Sequence, residues 1–270
     1  MTLAASASDF LIALIAAVFG FWLFRRQRRL KRLAQPFLPE WRTLLRERLP
    51  LLALLTTEQR RLHERRTLEF LHDVRFVGCN GLVVSDEMRV LIAGMACLLI
   101  LRPEAHVFRG LQSVLLYPSA FWVRHEEPDE LGLVDDQPQL RLGESWGGER
   151  VVLSWEDVEA ALAGDPVNVL VHEFAHQLDD ENPGAPGAPK LAPQSSLVTQ
   201  WSKVMRAEYE RLQQQSSRVL DDYGLEGPQE FFAVATEAFF QSGAELQREH
   251  PQLYRLLREY YLIDSAKLVV

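Results

Sequence analysis

The sequence predicts a mostly helical α+β domain, residues 33–270, preceded by one transmembrane helix with a basic flank, residues 1–32. Three observations predict it. An uncharged apolar run opens the chain and stops at a cluster of arginines. Amphipathic helical patterns fill residues 33–75 and most of the chain after Glu156. Between them lie short apolar runs bounded by turn residues, the pattern of strands. Composition agrees: 270 residues with 47% hydrophobic and 24% charged residues can bury a core, and they exclude a disordered, collagen-like, coiled-coil or polytopic membrane chain.

The N-terminal element comes first. Leu3–Phe24 carries one charge, Asp9, and Phe10–Phe24 (FLIALIAAVFGFWLF) carries none. As a helix, Leu3–Phe24 spans about 33 Å at ~1.5 Å per residue, enough for a ~30 Å hydrocarbon core. Arg25, Arg26, Arg28, Arg29, Lys31 and Arg32 follow at once. A cleaved secretory signal has its positive charges before the apolar run and small residues after it; here the order is reversed. The pattern reads as a retained single-pass anchor in the inner membrane, with residues 25–270 in the cytoplasm by the positive-inside rule. The alternative is a buried or membrane-surface helix, although the run lacks an interfacial helix's polar face. The remainder is acidic enough to give the whole chain a net charge of −8. It has no basic face, which argues against direct nucleic-acid binding.

The soluble elements follow in order. Trp41–Arg48 and Thr57–Leu71 show Arg/Glu faces opposite Leu/Phe faces, and Gly78, Asn80 and Gly81 break that pattern. Val90–Leu101 (VLIAGMACLLIL) is too short to span a membrane and ends at Arg102-Pro103, so it reads as a core helix with Ser85 as N-cap. Cys79 and Cys97 are too few for a disulfide framework and read as buried thiols. Ser113–Tyr117, Phe121–His125 and Val151–Trp155 read as strands. Glu126–Arg150 reads as a long charged loop, a class that is often functional. Asn182–Pro193 holds Pro183, Pro186, Pro189 and Pro193 and cannot be helical throughout.

The chemistry lies in Asn168–Asp180 (NVLVHEFAHQLDD), which contains H-E-x-x-H. Histidines at i and i+4 share one helix face, so both imidazoles of His172 and His176 can reach one Zn²⁺. Glu173 beside them can act as base on a metal-activated water. Val167, Leu170, Val171 and Phe174 mark the helix as packed, and Asp165-Pro166 reads as its start. Burying such a cluster without a cation would be costly. Asp179, on the ligand face, is a candidate to hold a histidine N–H. A catalytic zinc site needs a third protein ligand. Pro228–Phe240 (PQEFFAVATEAFF) offers Glu230 and Glu237 on one face of an apolar helix. Glu237, flanked by Ala233, Val234, Phe239 and Phe240, is the better candidate, with a salt bridge to a core arginine as its alternative. Glu230 sits in the first turn, where the helix dipole alone accounts for an acid. Tyr223, just before that helix, and Tyr209 are candidate oxyanion donors, or simply packed tyrosines.

With these residues in view, GLVDDQ (Gly132–Gln137), SWGGERVVLSWEDV (Ser145–Val158), HEFAHQLD (His172–Asp179) and PQEFFAVATEAFF (Pro228–Phe240) resemble the Mlc titration factor A family of zinc metallopeptidases. The resemblance implies a zincin-like metallopeptidase domain of the lethal-factor type. It makes His172 and His176 zinc ligands, Glu173 the catalytic base and Glu237 the third ligand. Family members can carry a histidine after G-L-V that also reaches the zinc; Asp135 stands there, a fourth candidate ligand on a loop expected to plug the cleft partly. Two functions follow. One is a zinc peptidase, aminopeptidase-like on small substrates, that hydrolyses peptide bonds with Glu173 as general base. The other is a regulatory binding protein that sequesters a transcriptional repressor, with catalysis secondary.

Overall fold

The protein is described by a computed structural model at residues 16–21, 23, 24, 26–28, 35–119, 121–123, 139–141, 143–146 and 149–268. The chain divides into two compact units, Met1–Leu38 and Pro39–Val270. In the first, the described residues 16–21, 23, 24 and 26–28 are helical and exposed, with the Arg28 guanidinium over the Phe24 ring. Most of the expected anchor lies outside the described residues. Among the described residues, no helix is long and apolar enough to cross a membrane.

The second unit is mostly helical with a small sheet. It begins with α1 (Pro39–Arg48) and α2 (Thr57–Asp73). Thr56 and Gln59 form a reciprocal capping box at the start of α2. Strand β1 (Arg75–Gly78) leads to α3 (Asp86–Leu98), whose N-cap is Ser85, as expected. From Val90 to Leu98 every residue of α3 is buried. Gly94 lets α1 approach closely, since a Cβ there would meet Leu45 Cδ2 at 2.5 Å. The Gly94 carbonyl accepts from His63 Nε2 at 2.7 Å, and burial holds the His63 pKa below its usual value. Cys97 is buried on α3, whereas Cys79 is only half-buried, so only one of the two thiols matches the expectation. Cys79 misses the core because it leaves the sheet edge just past β1.

Strands β2 (Ser113–Tyr117) and β6 (Arg150–Ser154) are the two apolar runs read from sequence, and β3 is Phe121–Val123. The main sheet runs β1-β2-β6 and then residues Gly143–Trp146 as β5. Its first three strands are parallel, and β5 (Gly143–Trp146) is antiparallel to β6. A separate antiparallel pair joins β3 to β4 (Gln139–Arg141). The expected loop Glu126–Arg150 therefore contains two strands. Both are too short to show a period of two, and each is defined by the ladder it joins rather than by its own pattern. The same holds for β1, which pairs residue by residue with β2 from Arg75↔Ser113 to Gly78↔Leu116.

Ser154 ends β6 and caps α4 (Trp155–Leu162). Then come α5 (Val169–Asp180), α6 (Leu197–Gln214), α7 (Pro228–Gln241), α8 (Gly243–Glu249) and α9 (Pro251–Tyr261). The proline-rich stretch Asn182–Pro193 is irregular, as expected. Helix α5 packs against β5, β6, α3 and, most extensively, α7. An aromatic cluster of Phe239, Phe240, Tyr254 and Tyr261, with Thr236 Oγ1 at 2.8 Å from the Tyr261 hydroxyl, fixes the far side of α7.

Candidate metal centre

Helix α5 starts where Asn168 Oδ1 accepts from the Val171 N–H at 2.9 Å. This places the start later than Asp165-Pro166. Those residues form a preceding turn in which the Asp165 carboxylate is spent on the Val167 N–H at 2.9 Å. The apolar stripe Leu170, Val171, Phe174, Ala175 and Leu178 is buried. Phe174 lies 4.8 Å from the Phe108 ring and 5.6 Å from Phe70, centroid to centroid. With that face anchored, His172 and His176 turn to the opposite side, half-buried, and α7 brings Glu230 and Glu237 up to them.

Three atoms converge there. His172 Nε2 lies 3.1 Å from His176 Nε2 and 3.1 Å from Glu230 Oε2. His176 Nε2 lies 3.3 Å from the same carboxylate oxygen. Glu237 is placed differently. One of its oxygens meets His172 Nδ1, and the other accepts from the Asn168 backbone N–H at 3.0 Å. A carboxylate on Nδ1 takes that nitrogen's proton as its hydrogen bond and leaves Nε2 with its lone pair. The two Nε2 atoms and the Glu230 oxygen are then three electron-pair donors facing one another. A cation between them satisfies all three, and the His/His/carboxylate set suits zinc.

The charges follow from this crowding. Burial by itself would lower the His172 pKa, but Glu230 and Glu237 raise it to about 10. Burial raises Glu230, yet the two imidazoles hold its carboxyl at about 2. Glu173 is buried, and burial together with Glu230 and Glu237 pushes it up to about 7 against the pull of the two histidines. Among the described residues, its Oε2 is buried without a hydrogen-bond partner.

The other expected residues are distributed as follows. The Tyr223 ring, about half exposed, lies 5.9 Å from the His172 ring and sits on a 3₁₀ turn, Asp222–Glu226, that leads into α7. Tyr209 is a packed tyrosine: its hydroxyl donates to the Leu225 carbonyl at 3.0 Å, and its ring lies against Phe231. Asp179 does not hold a histidine; its Oδ1 accepts from the Gly187 and Ala188 N–H groups. Asp135 and most of the expected plug lie outside the described residues. Glu230 is the residue that sequence reasoning set aside. Its signal was the seven-residue spacing to Glu237, which puts both carboxylates on one face of α7.

Comparison with known proteins decides the family. Residues 22–262 match the family described as glucose-regulated metallo-peptidase M90. The chain belongs to this family. Its relatives include proteins named Mlc titration factor A. One, from Pectobacterium atrosepticum, is 30% identical over 222 residues, covering 80% of this chain and 83% of its own. Another, from Serratia proteamaculans, is 32% identical over 203 residues, covering 73% and 77%. An uncharacterized protein of Synechocystis sp. is 38% identical over 263 residues, covering 94% of each chain. Membership in this metallopeptidase family gives the His172–His176–Glu230 cluster a chemical context.

Proposed function

We propose that the protein is a zinc peptidase of zincin-like architecture, with His172, His176 and Glu230 as metal ligands and Glu173 as general base. The observation that carries this reading is the convergence of the two Nε2 atoms with Glu230 Oε2, while Glu237 occupies the other ring nitrogen of His172. When bound there, zinc lowers the pKa of water and polarises the scissile carbonyl. Glu173 takes the proton of the attacking water and delivers it to the leaving amine. Its raised proton affinity suits a group that must both accept and return a proton near neutral pH. Tyr223, whose ring lies 5.9 Å from that of His172, is the proposed donor to the developing oxyanion. Glu237 holds His172 in the tautomer that binds metal.

Replacing Glu173 with Gln is expected to leave zinc stoichiometric and to lower peptide hydrolysis about 10²- to 10⁴-fold. Metal analysis and cleavage of a peptide library, including short substrates with free N-termini, read both. Undiminished hydrolysis by that variant would refute the mechanism. The names of the relatives support a second reading, in which the chain sequesters a repressor, with residues 1–32 as an inner-membrane anchor that would hold that repressor away from DNA. A Glu173→Gln protein that still binds the regulator and still produces the cellular effect would favour this reading, and membrane fractionation of the full chain tests the anchor.

A further inference from the structure

Asp179 lies one turn beyond His176 on α5, yet its carboxylate points into the proline-rich loop. Its Oδ1 accepts from the Gly187 N–H at 2.6 Å and the Ala188 N–H at 3.0 Å. The Gly187 carbonyl accepts from Trp201 Nε1 of α6 at 3.0 Å. Asn182 Nδ2 closes the same loop on the Ala188 carbonyl at 3.0 Å. The third side of Gly187 faces α7. Its φ is +80°, and a Cβ there would lie 2.5 Å from the Pro228 carbonyl oxygen and 2.9 Å from Pro228 Cβ. Pro228 is the first residue of α7, and Glu230 stands two residues later. One buried glycine therefore ties the helix of the two histidines to the helix of the carboxylate. Helix α7 has no side-chain cap of its own, since Gly227 supplies none. Its first turn is located by what packs against it.

We propose that Asp179 is a positioning residue for the metal centre, acting through the Gly187 loop to set where α7 begins and hence where Glu230 stands against His172 and His176. The inference rests on the ligand set proposed above. It differs from a charge effect of Asp179 on His176. An amide at position 179 keeps the oxygen that accepts the two N–H groups and loses only the charge. The Gly187→Ala change leaves the carboxylate intact but collides with Pro228 in a backbone conformation that side chains disfavour.

The test uses the full chain and zinc itself, with dissociation constants from chelator competition at a temperature where circular dichroism shows each variant folded. Asp179→Asn is expected to bind zinc within about threefold of the parent. Asp179→Ala and Gly187→Ala are expected to bind roughly 10- to 100-fold more weakly, as for other outer-shell losses. The melting temperature of the chelated forms serves as control, because losing a clamp that merely stabilises the fold lowers that temperature and leaves zinc affinity unmoved. Parental affinity in Asp179→Ala overturns the proposal, and so does an Asn variant as weak as the Ala one. Should Asp179→Ala not fold, parental affinity in Gly187→Ala overturns it. A parent chain that binds no zinc instead removes the ligand set on which the inference stands.

Discussion

His172 uses both ring nitrogens, and each meets a different carboxylate of α7. Glu230 shares the Nε2 side with His176, and Glu237 sits on the Nδ1 side with the Asn168 N–H. The two acids should therefore fail differently. Glu230→Ala is expected to lose stoichiometric zinc, whereas Glu237→Ala should keep the site with affinity about 10- to 100-fold weaker. Metal analysis after dialysis separates the two, and the opposite ranking would return the third-ligand role to Glu237. The chelated protein carries a further signature. The folded pKa of His172 is raised from 6.5 to about 10, so its stabilising contribution is full below pH 6.5 and disappears as pH rises through 10. Glu173, raised from 4.5 to about 7, works in the same direction. The melting temperature of chelated protein should fall between pH 6.5 and 10, and saturating zinc should flatten that fall.

Among the helices, burial rather than surface charge sets the positions. The Arg42–Glu64 pair is bidentate at 2.6 and 2.8 Å but partly open to solvent, the kind of contact worth ~0.2–1 kcal/mol. Burying a single leucine or phenylalanine is worth about 1.5–3 kcal/mol, and α3 and α5 bury their apolar faces almost completely. That burial gives the two cysteines different chemistry. Cys97 lies in the core of α3, and burial pushes its thiol up to about 12. Cys79 is half-buried. A thiol reagent should label one cysteine in the native protein and both after denaturation; rapid native labelling of two would contradict the packing of α3. Helix starts were legible where the signal is local, at the Ser85 cap and at Pro228, the first residue of α7. The start of α5 was not, because Asp165 and Asn168 both suit a cap, and only the fold shows which side chain is free to make it.

At the scale of the whole molecule, the domain buries an extensive apolar core apart from the His172–His176–Glu230 cluster. Chelation is expected to abolish activity while leaving the helical circular dichroism in place, unlike small domains that unfold without zinc. Much of this could be read along the chain. The 3.6-residue period puts His172 and His176 on one face wherever that helix sits, and it buries Phe174 on the other. The run Val90–Leu101 had to be core because it is apolar on every side and too short for a membrane. Which carboxylate meets the two imidazoles was not a local property. Glu230 and Glu237 share a face of α7 two turns apart, so their spacing is equally compatible with either one reaching the Nε2 atoms. The crossing of α7 over α5, set by the Gly187 loop at one end and by the aromatic cluster of Phe239, Phe240, Tyr254 and Tyr261 at the other, brings Glu230 to the Nε2 atoms and leaves Glu237 to orient His172. The short strands β1 and β4 have the same origin: their hydrogen bonds come from neighbours well separated in the chain, and no pattern within four residues can encode a partner.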